Sequence, residues 1–128
     1  ETFERRWALL RGPEGAAKIF QGVWGLPHVL HHAAREGYKA YERGIPRPNA
    51  DPDVGEEGDV AARRALGDGL TLVQNHVHRS HAPLARYMRD ASAFFGLPGG
   101  MNSYTTPKGT MGFAFHFDPS DAFILQVR

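Results

Sequence analysis

The spacing of apolar residues changes near residue 100, and this change constrains the fold more than any other feature of the sequence. Before it, apolar residues recur every three to four positions, which is typical of amphipathic helices. After it they alternate, which is typical of strands, and three strands are predicted: MNSYTT, TMGFAFHFD and DAFILQVR. A helical first part that leads into successive strands indicates an α+β fold.

Local signals place the other elements. Short helices are predicted in ETFERRWALL, in GPEGAAKIFQGVWG and in LPHVLHHAAREG, the last beginning at Pro27 and ending at Gly37. Residues 38–58 are rich in Pro, Gly and acidic residues, which predicts an exposed loop. A brief helix in DVAARRALGDG and a strand in LTLVQNHV follow. The longest helix is predicted from Ser80, its N-cap, to Gly96.

Composition narrows the possible classes of function. The chain has 15 basic and 14 acidic residues and a formal net charge of +1, so bulk charge does not support nucleic-acid or membrane binding. Because cysteine is absent, any metal would need His and carboxylate ligands. No apolar run approaches the roughly 20 residues of a membrane span, and the charged opening ETFERRWALLRG is unlike a signal peptide. A cytoplasmic protein is therefore expected.

A histidine and an aspartate are separated by one residue in the second predicted strand. Residues i and i+2 of a strand point to the same face, about 6.6–6.8 Å apart, so His116 and Asp118 could bind one metal ion. With a second histidine they would form the 2-His-1-carboxylate site of non-haem Fe(II) oxygenases. The spacing alone is weak evidence, since about 0.4 such pairs are expected by chance. The alternative is a strand-end histidine followed by a turn aspartate before Pro119.

A longer pattern surrounds this pair. It comprises Asn102-x-Tyr104, Thr106-Pro107, Gly112-Phe113, His116-x-Asp118 and the apolar run AFILQ. In order and spacing over about 27 residues, it resembles the start of the catalytic domain in the JmjC-type ribosomal oxygenases. These are Fe(II)- and 2-oxoglutarate-dependent hydroxylases of ribosomal proteins with a cupin fold. The segment GDGLTLVQNHVHRSHAPLARYMRDASAFFG is similar to the strand and helix that precede this region in the family.

The resemblance implies a fold and a domain organisation. Residues 1–68 would form a helical and loop region, and residues 69–128 the first strands and helix of a cupin, a double-stranded β-helix. The cupin would be incomplete in this chain. The family places a 2-oxoglutarate-binding lysine a few residues beyond Arg128, and a second histidine ligand on a later strand.

The resemblance also implies roles for four residues. His116 and Asp118 would be two of the three iron ligands. Asn102 and Tyr104, alternate residues of a neighbouring strand, would face the same pocket, and Tyr104 would donate its hydroxyl to a carboxylate of 2-oxoglutarate. A half-buried strand tyrosine beside a surface asparagine is the alternative interpretation.

The function implied is a dioxygenase that hydroxylates a protein or peptide side chain, with Fe(II) and 2-oxoglutarate as cofactor and cosubstrate. A ribosomal protein is the substrate suggested by the family, and a homodimer would be in keeping with it. Neither a membrane nor a direct nucleic-acid partner is expected. The alternative is a non-catalytic cupin fragment that acts as a binding or assembly module.

Other histidines suggest weaker sites. His28 and His32 have the i, i+4 spacing of a helical zinc pair, but the glutamate of the His-Glu-x-x-His motif is missing. His76, His78 and His81 could together form the three-histidine zinc site of a hydrolase. A solvated helix face and a polar strand end are the preferred interpretations of these two groups.

Overall fold

The computed structural model describes residues 22–52 and 55–126. The helix predicted in ETFERRWALL and most of that predicted in GPEGAAKIFQGVWG lie outside the described residues. The elements, in chain order, are α1 (Leu26–Glu36), β1 (Lys39–Glu42), β2 (Ile45–Pro46), α2 (Gly58–Gly67), β3 (Thr71–Gln74), α3 (Ala82–Phe95) and β4 (Ser103–Thr105). Single 3-10 turns lie at Pro48–Ala50 and Val77–Arg79. Across the two described ranges, every helix falls short of the length and apolar character needed to cross a membrane.

The strands form one antiparallel sheet in the order β2-β1-β3-β4. In the central strand β3, Leu72 lies opposite Ala40 of β1 on one side and Thr105 of β4 on the other. Helices around a small antiparallel sheet confirm the predicted α+β class, whereas the double-stranded β-helix stays a prediction. The sheet joins the two predicted regions, because the hairpin from residues 1–68 pairs with strands from residues 69–128.

Helices α1 and α2 cover one face of this sheet, here called the inner face. As predicted, α1 has Pro27 in its first turn and ends at Gly37, whose φ of 79° favours glycine. The two helices approach closely at Gly58, where a Cβ atom would lie 2.5 Å from the carbonyl oxygen of Ala33. The core that results is built from small and branched side chains: Val29, Leu30, Ala33, Ala40, Ala50, Ala62, Ala65 and Leu72. Burial of these side chains fixes the position of the sheet.

The exposed loop predicted over residues 38–58 is wrong in part, because its described portion contains the β1–β2 hairpin. Arg43 and Gly44 form the turn and have φ values of 51° and 85°. Positive φ at both central residues is the backbone of a type I′ turn. Arginine seldom adopts this conformation, so Arg-Gly is a poor sequence signal for a hairpin.

The longest helix ends as predicted and begins one residue later than predicted. Gly96 closes α3 in the left-handed conformation, with φ of 68°. His81, rather than Ser80, is the N-cap. The Ser80 hydroxyl instead lies 2.7 Å from Nδ1 of His32, so a contact between distant parts of the chain replaces the expected cap.

The strands predicted in TMGFAFHFD and DAFILQVR are not formed within the described residues. Residues 106–126 continue from β4 without strand pairing. A strand needs a neighbouring backbone for its N–H and C=O groups, and in the described part of the chain the sheet stops at β4. Many apolar side chains of this segment are exposed, among them Phe115, Phe117 and Ile124.

Candidate functional site

The segment after β4 packs on the outer face of the sheet, opposite α1 and α2. Thr71 of β3 and Thr106 anchor it, with their hydroxyl oxygens 3.0 Å apart. Gly112 lies directly against this pair, since a Cβ atom there would be 2.8 Å from Oγ1 of Thr106 and 3.4 Å from Oγ1 of Thr71. A larger residue at position 112 would have to displace the Thr106 hydroxyl, so this close approach to the sheet favours glycine.

Phe113 extends the same contact along the outer face. Its ring centroid lies 5.1 Å from that of Tyr41 on β1 and 5.8 Å from that of Tyr104 on β4. Both distances are in the range of favourable aromatic pairs. On the far side of Phe115 in the sequence, the imidazole of His116 also contacts Phe113, with the two ring centroids 5.6 Å apart. Phe113 thus connects the sheet to the predicted metal ligands.

The structure brings His116 and Asp118 together, although no strand holds them. Nδ1 of His116 donates a hydrogen bond to the carbonyl oxygen of Ala114 at 3.0 Å. The other ring nitrogen, Nε2, therefore faces Oδ2 of Asp118, 3.5 Å away. Both side chains are more than half exposed, at 54% and 61%. The two side chains converge as predicted, but a local bend of the backbone brings them together, and not the alternation of a strand.

This donor pair fits a divalent metal ion. Two donor atoms that each lie about 2.1 Å from one ion are about 3.0 Å apart at a right angle and about 3.4 Å apart at a tetrahedral angle. The 3.5 Å between Nε2 and Oδ2 is close to this range. When the imidazole is neutral, both atoms are electron-pair donors, so a cation between them would satisfy both. When it is protonated, the pair is an exposed ion pair, which contributes at most about 1 kcal/mol.

A third ligand is not supplied by the described residues. Within residues 22–52 and 55–126, no three His, Asp or Glu side chains gather in a way that could hold a metal ion. His116 and Asp118 could thus provide two metal ligands, and the described part of the chain provides no third ligand beside them.

The two predicted cosubstrate residues lie in different surroundings. Tyr104 is on the outer face of β4, beside Phe113, and is 59% exposed. Asn102 precedes the strand, and its Oδ1 accepts a hydrogen bond of 3.1 Å from the backbone N–H of His76. His76 has a φ of 55°, so Asn102 stabilises a left-handed turn after β3. The tyrosine hydroxyl is accessible to a ligand, whereas the asparagine oxygen already has a partner.

A cluster of aromatic and histidine side chains was not indicated by the sequence patterns. Trp24 stacks on His28 at 5.8 Å between ring centroids and contacts the edges of His32 and His81. Its indole N–H donates to Oγ of Ser103 on β4 at 2.9 Å. The residues come from distant parts of the chain, so no local spacing could have revealed the cluster.

Hydrogen bonds in this cluster oppose the zinc sites that were the less favoured interpretation of these histidines. Nδ1 of His28 accepts the backbone N–H of Gly25 at 3.1 Å, and Nε2 of His81 donates to the carbonyl oxygen of Val23 at 2.8 Å. Burial, followed by the neighbouring imidazoles of His81 and His31, lowers the pKa of His28 below its ordinary value of 6.5. These imidazoles serve to hold residues 22–25 against the fold.

The same aromatic cluster separates His81 from the other two members of the less favoured three-histidine site. His81 contacts Trp24 and His28, with its ring 4.7 Å from that of His28. His76 and His78 instead contact each other, with ring centroids 6.0 Å apart. The described residues therefore give no support to a zinc hydrolase built on these three histidines.

Known proteins resemble the second part of the chain. Residues 72–128 match the family model described as JmjC domain. Ribosomal oxygenase 1 of Gallus gallus and its namesake of Danio rerio are each 54% identical to this chain over 34 residues. The match covers 27% of this chain but only 6% of the length of each relative. No solved structure matches the chain. The family and protein matches confirm the resemblance recognised in the sequence.

Proposed function

We propose that this protein is an Fe(II)- and 2-oxoglutarate-dependent dioxygenase. It would hydroxylate a protein or peptide side chain. The match of residues 72–128 to the JmjC domain model supports this assignment. The observation that carries the proposal is the convergence of Nε2 of His116 and Oδ2 of Asp118, 3.5 Å apart, inside the matched segment. That pair supplies the imidazole and the carboxylate that non-haem iron sites use.

The chain's own residues would orient the reactants. Iron with 2-oxoglutarate would supply oxygen activation coupled to decarboxylation of the cosubstrate. His116 would present Nε2 because its Nδ1–H is held by the carbonyl oxygen of Ala114. Asp118 would offset part of the metal charge. The Tyr104 hydroxyl would donate to a cosubstrate carboxylate, and Asn102 would hold the chain entering β4 in place through its bond to His76.

The partners follow from the relatives by analogy. Both matched relatives are named ribosomal oxygenases, so ribosomal proteins are the first substrates to test. Dimerisation and a cytoplasmic location remain predictions based on the sequence.

The test is turnover of 2-oxoglutarate by the full-length protein with Fe(II), measured as succinate formation. His116→Ala and Asp118→Ala should abolish turnover, because each removes one metal ligand. Matched controls are His31→Ala and Asp121→Ala, which replace exposed residues outside the pair and should leave turnover unchanged. Full turnover in the His116→Ala variant would contradict the proposal.

A non-catalytic binding module is the second candidate. It is favoured by four largely exposed apolar residues, with relative exposures from 63% to 111%: Phe115, Phe117, Phe123 and Ile124. Apolar surface of this kind is typical of interaction sites. If the wild-type protein shows no metal-dependent succinate formation with any protein substrate, this candidate takes precedence.

A further inference from the structure

We propose that Phe113 is a positioning residue for the His116–Asp118 pair, and that the β1–β2 hairpin supports it. This inference rests on the proposed function, since it assigns a role within the same metal site. It assigns a task to the hairpin, which neither the sequence pattern nor the family match covers: the matched segment begins at residue 72, and the hairpin lies before it.

Phe113 differs from the two phenylalanines that follow it. Its side chain is partly buried against rings from two separate strands, Tyr41 of β1 and Tyr104 of β4. Phe115 and Phe117 are exposed, at 111% and 85%. Of the three phenylalanines in GFAFHF, Phe113 is therefore the one that packs against tyrosine rings of the sheet.

The hairpin turn is shaped to receive the Phe113 ring. A Cβ atom at Gly44 would lie 3.2 Å from Cδ1 of Phe113, which is closer than side chains usually pack. Gly44 also has a φ of 85°, which favours glycine on its own. The backbone of Gly44 thus lies against the Phe113 ring, and the ring of Tyr41, three residues earlier, also contacts it.

Phe113 in turn limits the movement of His116. The two rings are 5.6 Å apart and tilted by 48°. The carbonyl oxygen that accepts the Nδ1–H of His116 belongs to Ala114, the residue after Phe113. Both contacts that orient this half-exposed imidazole therefore depend on where residues 113–114 lie. Orienting a ligand side chain before the metal arrives reduces the ordering cost of binding.

The experiment measures Co(II) binding by the full-length protein. Phe113→Leu removes the aromatic ring, Phe113→Tyr keeps it, and Phe117→Leu makes the same change at an exposed position. Each protein is titrated with Co(II) without cosubstrate, and both the dissociation constant and the visible absorption band of the bound ion are recorded. The band reports ligand geometry, which a loss of stability alone would not alter in the folded protein.

We expect Phe113→Leu to weaken Co(II) binding by roughly 10-fold, the lower end for groups that orient metal ligands, and to change the band. Phe113→Tyr and Phe117→Leu should bind Co(II) like the wild type. Wild-type affinity and an unchanged band in Phe113→Leu would overturn the inference. So would a loss of affinity in Phe117→Leu equal to that in Phe113→Leu.

Failure of this inference can be told apart from failure of the proposed function. If His116→Ala binds Co(II) as tightly as the wild type, the metal assignment is wrong and the role of Phe113 falls with it. If His116→Ala loses binding but Phe113→Leu does not, the positioning role alone is wrong. Should Phe113→Leu not fold, Tyr41→Leu takes its place: weaker binding supports the inference, and wild-type affinity overturns it.

Discussion

Gly112 and Tyr104 determine how the segment that carries the His116–Asp118 pair meets the sheet. Gly112 lets the chain after β4 approach the hydroxyls of Thr71 and Thr106, and Tyr104 offers its own hydroxyl on the same face. The sequence suggested Gly112 and Tyr104 only through a family pattern. The physical reasons for these two residues, a close approach of the backbone and an accessible phenol, depend on the pairing of β3 with β4.

Gly112→Ala should destabilise the protein. The new methyl group would displace the Thr106 hydroxyl, 2.8 Å away, from its bond with the buried Thr71. Loss of such a hydrogen bond costs about 1 kcal/mol or somewhat more, measurable by urea unfolding. Gly67→Ala is the control, because a Cβ atom there meets nothing within 4 Å, and it should cost little. Equal stability of Gly112→Ala and wild type would show that the close packing is not needed.

Tyr104→Phe should raise the 2-oxoglutarate concentration needed for half-maximal turnover while changing the maximal rate less. A hydrogen bond to a charged group contributes about 1.5–3 kcal/mol, or roughly 10-fold or more in affinity. Steady-state kinetics at varied 2-oxoglutarate would show this. An unchanged requirement would mean that Tyr104 does not contact the cosubstrate.

At the scale of elements, the sequence predicted the ends of helices, which are determined by residues within one turn. Pro27 and Gly37 delimit α1, and Gly96 closes α3, because caps and left-handed residues act within one turn. The hairpin at Arg43-Gly44 and the cluster around Trp24 escaped prediction. The first needs arginine in an unusual backbone conformation, and the second depends on contacts between distant segments.

The cluster around Trp24 should loosen in acid. Burial is the main cause that lowers the pKa of both His28 and His32, and His31 adds to it for both. Glu36 acts in the opposite direction on His32. As pH falls below about 6.5, these histidines take up protons more readily in the unfolded chain than in the folded protein. Proton binding therefore favours the unfolded chain, and the free energy of unfolding decreases. Stability from these groups is fully present above about pH 6.5 and is lost as pH drops through their lowered pKa values.

Urea unfolding followed by tryptophan fluorescence at several pH values between neutral and mildly acidic would test this. His28→Asn keeps an acceptor for the backbone N–H of Gly25 but cannot be protonated, so its stability should vary less with pH. His31→Asn, at an exposed helix position, should keep most of the wild-type dependence. The account fails if His28→Asn is as sensitive to pH as the wild type.

At the scale of the whole molecule, the two faces of the sheet have different tasks. The inner face carries the helices and most of the buried core, and the outer face carries Tyr104, Phe113 and the His116–Asp118 pair. The sequence predicted the α+β class and the proximity of His116 and Asp118, because both depend on short-range patterns, whereas the role of the pair as metal ligands stays a prediction. It did not predict the outer-face packing, since Tyr41 and Phe113 are 72 positions apart in the chain.

The most direct test of the central claim is anaerobic titration of the full-length protein with Fe(II) and 2-oxoglutarate, followed by visible absorption. A 2-oxoglutarate molecule that chelates protein-bound Fe(II) gives a charge-transfer band, and this readout requires no knowledge of the substrate. The band should form with the wild type and the Asp121→Ala control, and should be absent with His116→Ala and Asp118→Ala. Absence of the band with the wild type, or an equal band with His116→Ala, would contradict the account.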